Sequence, residues 1–288
     1  MLQSIPVLGS AISVEEALIP VDPALKKRMA DVALNAAVSN GASYADVRIG
    51  RYLNQFLSTR EKQVEDVSNT ESYGIGIRVI ANGCWGFAAT DNMTTDSIAK
   101  TAAQAVQIAK VNSKIMGEPV KLAPQKGYGE VSWKTPIQQN PFEVPIKEKI
   151  KLLLEVNNAA LDNGATYVSS DLYQINEQKY FASTDGSYID QDIHRIWPTF
   201  TVTRIDAETG KFQSRNALSS PMGMGYEYLT PDKNEELQTV MTLYKKRYNM
   251  VEDAKVAARQ VAEKLKAKPV EPGKYDLIHD PTNLFLTI

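Results

Sequence analysis

The stretch "YGIGIRVIANGCWGFAAT", Tyr73–Thr90, predicts an antiparallel hairpin. Its first part alternates large apolar residues with small or charged ones, the period of two that is typical of a half-buried strand. The apolar members are Ile75, Ile77 and Val79, and the others are Gly74, Gly76 and Arg78. Asn82-Gly83 is the favoured two-residue turn of such a hairpin, and "CWGFAAT" supplies the return strand.

Gly74 and Gly76 occupy one face of the predicted strand and leave its backbone open to close approach. One interpretation is packing by a neighbouring helix. The other is a groove for an extended peptide, which binds to sheets through backbone and side-chain contacts. The third glycine and the following helix that a dinucleotide-binding motif requires are missing here.

Outward from the hairpin, the chain contains the same unit twice. A helical stretch begins at Asp22-Pro23 and ends at Asn40-Gly41, and a second begins at Pro145 and ends at Asn163-Gly164. "GASY" follows the first and "GATY" follows the second. Strands come next in both copies, with further turns predicted at Asp185-Gly186 and around Gly210.

Each copy closes with a helix that has the same apolar spacing. Ile98, Ala102, Ala105 and Ala109 repeat the pattern of Ala254, Ala258, Val261 and Leu265, which is the stripe of a helix lying on a sheet. We expect Asp96 to begin the first of these helices and Pro269 to stop the second. The predicted fold class is therefore α+β, with two helix-strands-helix repeats whose antiparallel meanders form an antiparallel or mixed sheet covered by helices.

These patterns predict five segments. Residues 1–21 form an N-terminal arm, 22–121 the first repeat and 122–145 a linker. Residues 146–274 form the second repeat, with an insertion near 214–249, and 275–288 begin a further domain that is cut short. In that last segment we expect a short strand at Tyr275–His279 and a helix start at Asp280-Pro281.

Composition narrows the class of protein. The 288 residues are 43% hydrophobic, enough for a globular core, and 32 basic against 34 acidic residues give a net charge of −2. We therefore expect neither a nucleic-acid nor a membrane partner, and interpret Lys26-Lys27-Arg28 and Lys245-Lys246-Arg247 as solvated faces. A single cysteine and the absence of a membrane-length apolar run favour a cytoplasmic protein; export stays open if the apolar arm is a trimmed signal peptide.

No complete catalytic constellation occurs in the sequence. The only histidines, His194 and His279, lie on different segments, and we interpret both as strand histidines and not as metal ligands. Cys84 is expected to be a buried structural thiol. Met222-Gly223-Met224-Gly225 is either a flexible loop that faces substrate or an ordinary surface connection.

From about Asp22 onward the chain resembles the TldD/PmbA family, zinc-dependent proteases once described as modulators of DNA gyrase. The resemblance rests on the "YADVR" strand, the "YGIGIRVI" and "GCWGFAAT" hairpin, the Ala-rich helix after it and the terminal "YDLIHDPTNLFLTI". It is weakest in Met1–Val21 and around Pro124–Pro145. The ending looks more like the TldD branch than the PmbA branch.

In the TldD branch, a comparable strand and "DPT" helix start lead into His-Glu-x-x-x-His, which supplies zinc ligands and the catalytic glutamate. The resemblance therefore implies that this chain stops just before that motif, holds no catalytic or metal-binding residue, and is inactive alone. The full protein would need zinc and would hydrolyse unfolded or extended peptides inside a homo- or heterodimer. This half would form cavity walls and partner contacts, or else be a peptide-binding module without catalysis. Leu284, Phe285 and Ile288 are expected to be disordered or buried in a neighbouring chain.

Overall fold

The structure, a computed structural model, describes residues 19–115, 117–230, 247–279 and Leu284. Its described part has four α-helices: α1 (Pro23–Ser39), α2 (Thr95–Asn112), α3 (Ile146–Asp162) and α4 (Met250–Lys264). Seven strands accompany them: β1 (Tyr44–Arg60), β2 (Gln63–Ala81), β3 (Cys84–Thr90), β4 (Gly129–Lys134), β5 (Tyr167–Ser183), β6 (Ser187–Ile205) and β7 (Phe212–Asn216). Short 3-10 helices span Pro141–Glu143 and Tyr226–Leu229. The α+β class is confirmed.

The seven strands form a mixed sheet in the order β3-β2-β1-β5-β6-β4, with β7 paired to β6. β4 runs parallel to β6, from Gly129 opposite Ser187 to Lys134 opposite Asp192. The sheet is therefore mixed, which is one of the two forms expected from the sequence. All six residues of this edge strand are exposed, and only Val131 and Trp133 alternate with polar residues, which is a short signal for a strand.

The hairpin predicted at Tyr73–Thr90 is confirmed. β2 and β3 pair antiparallel from Ile75 opposite Thr90 to Ala81 opposite Cys84. Asn82 and Gly83 connect them with φ angles of 51° and 75°. Both angles lie in the left-handed region that a type I′ turn requires and that Asn and Gly tolerate best.

The described residues divide into two compact units. The first comprises 19–53, 70–134 and 176–193; the second comprises 54–69, 135–175, 194–230, 247–279 and Leu284. Both units take residues from β1, β2, β5 and β6, since each of these long strands passes through a unit boundary. The sequential boundaries expected from the repeat stay a prediction; β4 and the Pro141–Glu143 helix lie inside the 122–145 segment.

In the first unit, α1 and α2 cover one face of the sheet. Their Ala-rich stripes pack on the inward residues of β1, β2 and β3, and the buried cluster includes Ala33, Ala37, Val47, Ile77, Ala102 and Ala105. The glycine that lets α2 approach is Gly86, because a Cβ there would lie 2.0 Å from the Ala105 carbonyl oxygen. The N-cap of α2 is Thr94, whose hydroxyl accepts from Ser97 N, and Asp96 lies in its first turn.

In the second unit, α3 and α4 pack on another apolar cluster, which includes Leu57, Leu153, Leu172, Phe200, Ala257 and Val261. Asp253 of α4 is buried and joins the helix to the segment after β7. Its carboxylate accepts hydrogen bonds from Leu218 N at 2.9 Å and the Tyr248 hydroxyl at 2.5 Å, and it pairs with Arg215 at 2.7 Å. A buried carboxylate is tolerated here because these donors satisfy it.

The contact between α3 and the sheet of this unit includes a polar layer. Lys149 is fully buried, and its Nζ donates to the side-chain oxygens of Gln55 and, at 2.8 Å, Gln174. Both acceptors are neutral, so the ammonium has no carboxylate to offset its loss of hydration. Burial accordingly lowers the pKa of Lys149 from 10.5 to about 8.

The strand expected at Tyr275–His279 was the wrong prediction. These five residues form no strand and are exposed, with Ile278 fully so. A short apolar segment becomes a strand only when a neighbour pairs with its backbone, and no strand among the described residues pairs with this one. The predicted helix start at Asp280-Pro281 and the side chains of Phe285 and Ile288 lie outside the described residues; Leu284 is a half-buried turn residue.

Replacing Gly86 with alanine should destabilise the fold by about 3 kcal/mol, because the new methyl group would collide with the backbone of α2. Urea unfolding followed by circular dichroism measures this. Gly117→Ala is the matched control, since a Cβ at Gly117 meets no atom within 4 Å. Equal stability of the two variants would show that α2 does not pack this closely on β3.

The charge on Lys149 should make stability depend on alkaline pH. Between about pH 8 and pH 10.5 the unfolded chain holds a proton that the folded chain has released, so folding becomes more favourable as the pH rises. The unfolding free energy of the natural chain should therefore rise by about 2 kcal/mol relative to that of Lys149→Met across this window. Parallel stability curves for the two proteins would contradict the assignment.

Candidate functional site

A groove of the first unit lies on the sheet face that the helices leave open. Its volume is about 920 Å³, and its lining residues come from β1, β2, β3, β5 and β6, together with Asp91. Adjacent strands lie about 4.8 Å apart, so a groove that crosses five strands extends about 19 Å. At about 3.3 Å per residue, that is the length of five or six residues of extended peptide.

Glycines form the floor of this groove. Gly50 of β1 and Gly74 and Gly76 of β2 all line it. A Cβ on Gly76 would lie 3.1 Å from the Phe87 ring, and one on Gly74 would lie 3.1 Å from the Thr90 carbonyl oxygen. Packing of a helix against Gly74 and Gly76 is therefore wrong: they face the open side, whereas Gly86, on the opposite face of β3, receives the helix.

Aromatic side chains form the walls. Phe87 is 57% exposed, Tyr52 is 37% exposed, and Phe181 is half-buried beside them. The Tyr52 hydroxyl donates to Glu177 Oε1 at 2.8 Å, which fixes the orientation of the ring. Exposed rings around a bare backbone floor offer apolar contact area of the kind that binding surfaces use.

A buried carboxylate organises the cations near the groove. Asp46 is fully buried; Arg48 pairs with its Oδ1, and Arg78 pairs with its Oδ2 at 2.7 Å. The Arg48 guanidinium lies 5.4 Å from the centre of the Phe181 ring, and that of Arg78 lies 4.5 Å from the Trp85 ring. Both arginines are thereby held against the open face while part of each stays exposed.

The tyrosines beneath the groove cannot act as bases near neutral pH. Burial raises the pKa of Tyr180 and of Tyr73, so both hydroxyls stay protonated. The arrangement can therefore hold an extended ligand through apolar, hydrogen-bonding and charge contacts. The described lining residues offer no nucleophile with an adjacent base.

The histidines and the cysteine do not form a site. His194 is buried in β6, as expected of a strand histidine, whereas His279 is exposed and outside any strand, so that interpretation of His279 is wrong. Cys84 is buried in β3, which confirms a structural thiol. In the described part of the chain, no three His, Cys, Asp or Glu side chains come close enough together to hold a metal ion, so the residues at hand do not fit zinc.

The Met222-Gly223-Met224-Gly225 segment is an anchored surface connection, since Gly223 is exposed and both methionines are partly buried. Met222 pairs with Ile196 of β6 through two backbone hydrogen bonds of 2.9 Å, and Met222 and Met224 pack against the core of the second unit. A Cβ on Gly225 would lie 2.3 Å from the Gln139 carbonyl oxygen. Methionine fills irregular gaps well, so these contacts hold the segment in place.

One basic cluster departs from the expected solvated face. Lys26 is buried and pairs with Asp190, while Lys27 pairs with Glu130 and Arg28 is exposed. The helix spacing places Lys26 toward the sheet, where Asp190 offsets its charge. Lys245 and Lys246 lie outside the described residues, and Arg247 donates to the Thr230 carbonyl. Among the described helices, none is both long and apolar enough to cross a membrane.

Two family models match the chain. The model of PmbA/TldA metallopeptidase domain 1 matches residues 45–109, and that of the PmbA/TldA metallopeptidase central domain matches residues 139–268. The first match contains β2, β3 and most of β1 and α2, and so includes the glycine floor. The second contains α3, α4, β5, β6 and β7.

Curated relatives and solved structures agree with these matches. A metalloprotease of Methanocaldococcus jannaschii is 24% identical over 83% of this chain and 48% of its own length, and one of Methanothermobacter thermautotrophicus is 24% identical over 86% and 50%. A crystal structure from Bacteroides thetaiotaomicron, titled as a modulator of DNA gyrase, superimposes with a TM-score of 0.64 at 16% identity, over 86% of this chain and 52% of that one. The structural likeness shows the fold, and the chain spans about half the length of the relatives it matches.

Asp46→Asn should destabilise the chain by about 2 kcal/mol, because Arg48 and Arg78 lose their shared buried carboxylate. The expected loss is moderate since both arginines remain partly hydrated. Thermal unfolding measures it, with Asp91→Asn at an exposed position as the control. Similar melting temperatures for the two variants would show that Asp46 does not hold the arginines in place.

Proposed function

Because the chain belongs to the PmbA/TldD metallopeptidase family, we propose that it is the N-terminal, substrate-handling half of a TldD-type zinc peptidase. In this role the chain binds extended or unfolded polypeptide and contributes to the walls and access route of the cavity where cleavage occurs. The observation that carries the proposal is the glycine-floored groove of the first unit, about 920 Å³ in volume.

The shape of the groove favours an unfolded substrate. A folded surface presents side chains on a rigid backbone, whereas an extended segment of five or six residues can follow a shallow path of about 19 Å across the strands. The ring of Tyr52 lies against Gly50 and that of Phe87 against Gly76, and both exposed rings give the ligand apolar contact. Such contacts bind many sequences, which suits a peptidase that processes unfolded chains.

Catalysis is assigned to the part of the protein that this chain does not contain. By resemblance, zinc and the His-Glu-x-x-x-His motif belong to the segment after Ile288, and zinc would there polarise the water that attacks the peptide carbonyl. The contribution of this chain is to bind and orient the polypeptide. The isolated chain is therefore expected to bind peptide without cleaving it.

A second candidate is a peptide-binding or assembly module that pairs with a separate catalytic subunit. It is supported by the formed groove of the first unit, which both candidates require. Both candidates include a dimer of like or unlike subunits as part of the proposal, without a nucleic-acid or membrane partner. The reading frame of the source gene beyond codon 288 separates them, since only the first requires His-Glu-x-x-x-His to follow.

Filling the floor should weaken peptide binding. Gly76→Val places methyl groups where a Cβ already lies 3.1 Å from the Phe87 ring, and valine suits a strand, so the fold is expected to persist. Fluorescence anisotropy with a labelled, unfolded casein fragment should show the dissociation constant rising by roughly tenfold.

The matched control is Ser132→Val, which introduces the same side chain at an exposed position of β4 outside the groove. It should bind the casein fragment as the natural chain does. Unchanged affinity of Gly76→Val, with its fold confirmed by circular dichroism, would refute binding at this groove.

A further inference from the structure

We propose that the groove selects a large apolar or aromatic side chain with a carboxylate next to it in the peptide. This inference rests on the proposed peptide-binding function and adds a substrate class to it. It follows from two neighbouring features of the open face: the glycine floor between aromatic rings, and the exposed cations of Arg48 and Lys179.

The apolar subsite lies between the rings of Tyr52 and Phe87, which themselves cover Gly50 and Gly76: a Cβ on either glycine would lie 3.1 Å from the ring. Gly74 leaves further room, because the three nearest atoms to a Cβ there are backbone atoms of Thr90 and Asp91. The Phe87 ring is more than half exposed, although the hydrophobic effect favours covering such a ring. A ligand side chain that enters between the rings removes apolar area of both from water, and an aromatic side chain does so with the largest area.

The accessible charge on the Gly76 side of the floor is positive. The side chains of Arg48 and Lys179 are 56% and 46% exposed, whereas Asp46 is 0% and Glu177 is 9% exposed. Both of these carboxylates are already engaged: Asp46 by two arginines, and Glu177 by the Tyr52 hydroxyl and by Lys179 at 3.4 Å. The exposed carboxylate of the lining, Asp91, lies beside Gly74, whereas Arg48 lies beside Gly76. Arg48 has further N–H groups that Asp46 does not use, so an incoming carboxylate finds donors and meets little repulsion.

The two features lie close enough to act on adjacent ligand residues. Arg48 and Gly50 are two residues apart on β1 and so point to the same face, as do Lys179 and Phe181 on β5. β1 and β5 are neighbours in the sheet. A Cβ on Gly76 would lie 4.0 Å from the Arg48 carbonyl oxygen, which places the floor directly beside the basic pair.

Charge complementarity therefore favours one ligand class over another. A peptide with Phe-Glu places its ring between Tyr52 and Phe87 and its carboxylate at Arg48 and Lys179. A peptide with Phe-Lys places an ammonium there and is repelled, since like charges across an interface oppose binding. A peptide with Ala-Glu satisfies the cations and leaves the floor uncovered.

The test compares three labelled peptides that are identical except at this dipeptide: Phe-Glu, Phe-Lys and Ala-Glu. Fluorescence anisotropy with the full 288-residue chain gives their dissociation constants. Phe-Glu should bind roughly fivefold more tightly than either of the others, and the advantage over Phe-Lys should shrink as salt is added.

Two charge-reversal variants test whether the charge selection arises at the groove. Lys179→Glu should weaken the Phe-Glu peptide roughly fivefold and strengthen the Phe-Lys peptide. Lys151→Glu, the same change at an exposed position of α3 in the second unit, should alter neither affinity.

The outcomes separate this inference from the proposed function. If Phe-Glu and Phe-Lys bind equally, the charge selection is wrong while peptide binding stands; if Ala-Glu binds as tightly as Phe-Glu, the apolar subsite is wrong. If none of the three peptides binds, while Gly76→Val still lowers the affinity for the casein fragment, only the sequence preference fails. If neither the peptides nor the casein fragment bind, the proposed function fails as well.

Discussion

The close approach of α2 to β3 at Gly86 is the constraint on which the first unit depends. With the Ala105 backbone 2.0 Å from where a Cβ would stand, no other residue fits without moving the helix. The alanines of α1 and α2 complete a tightly packed face, so the helices occupy only one side of the sheet. Since side chains alternate along a strand, the residues between the packed ones are displayed on the other side. The groove is the consequence of that alternation.

The rings and cations on the open face must be held in place by other contacts, because packing on the core stabilises them little. Asp46 provides some of these contacts by binding two arginines from a fully buried position, and the rings of Phe181 and Trp85 lie under their guanidinium groups. Glu177 fixes Tyr52 in the same manner. Charged residues that hold other side chains in place make a site more rigid before a ligand arrives, which lowers the entropic cost of binding.

The sequence predicts well wherever one local rule decides the structure. The Asn82-Gly83 turn, the helix start at Asp22-Pro23 and the helix ends at Gly41 and Gly164 are confirmed, since each depends on a few adjacent residues. β4 escapes prediction because it is short, with only Val131 and Trp133 as alternating apolar residues, and buried Lys149 and Lys26 escape because their partners are distant in sequence. Gly74 and Gly76 indicate an exposed backbone, but they do not show which face of the sheet the helix covers. Gly86, on the neighbouring strand, determines that face.

The most direct test of the account is a map of where an unfolded peptide touches the chain. Backbone amide signals of glycines lie in a well-separated region of a nitrogen–proton correlation spectrum, so Gly50, Gly74 and Gly76 can be followed individually as labelled chain is titrated with casein fragment. The account predicts that these three signals and those of Phe87 and Lys179 shift together and saturate with one dissociation constant. Saturating shifts confined to the second unit, with these glycine signals unmoved, would contradict it.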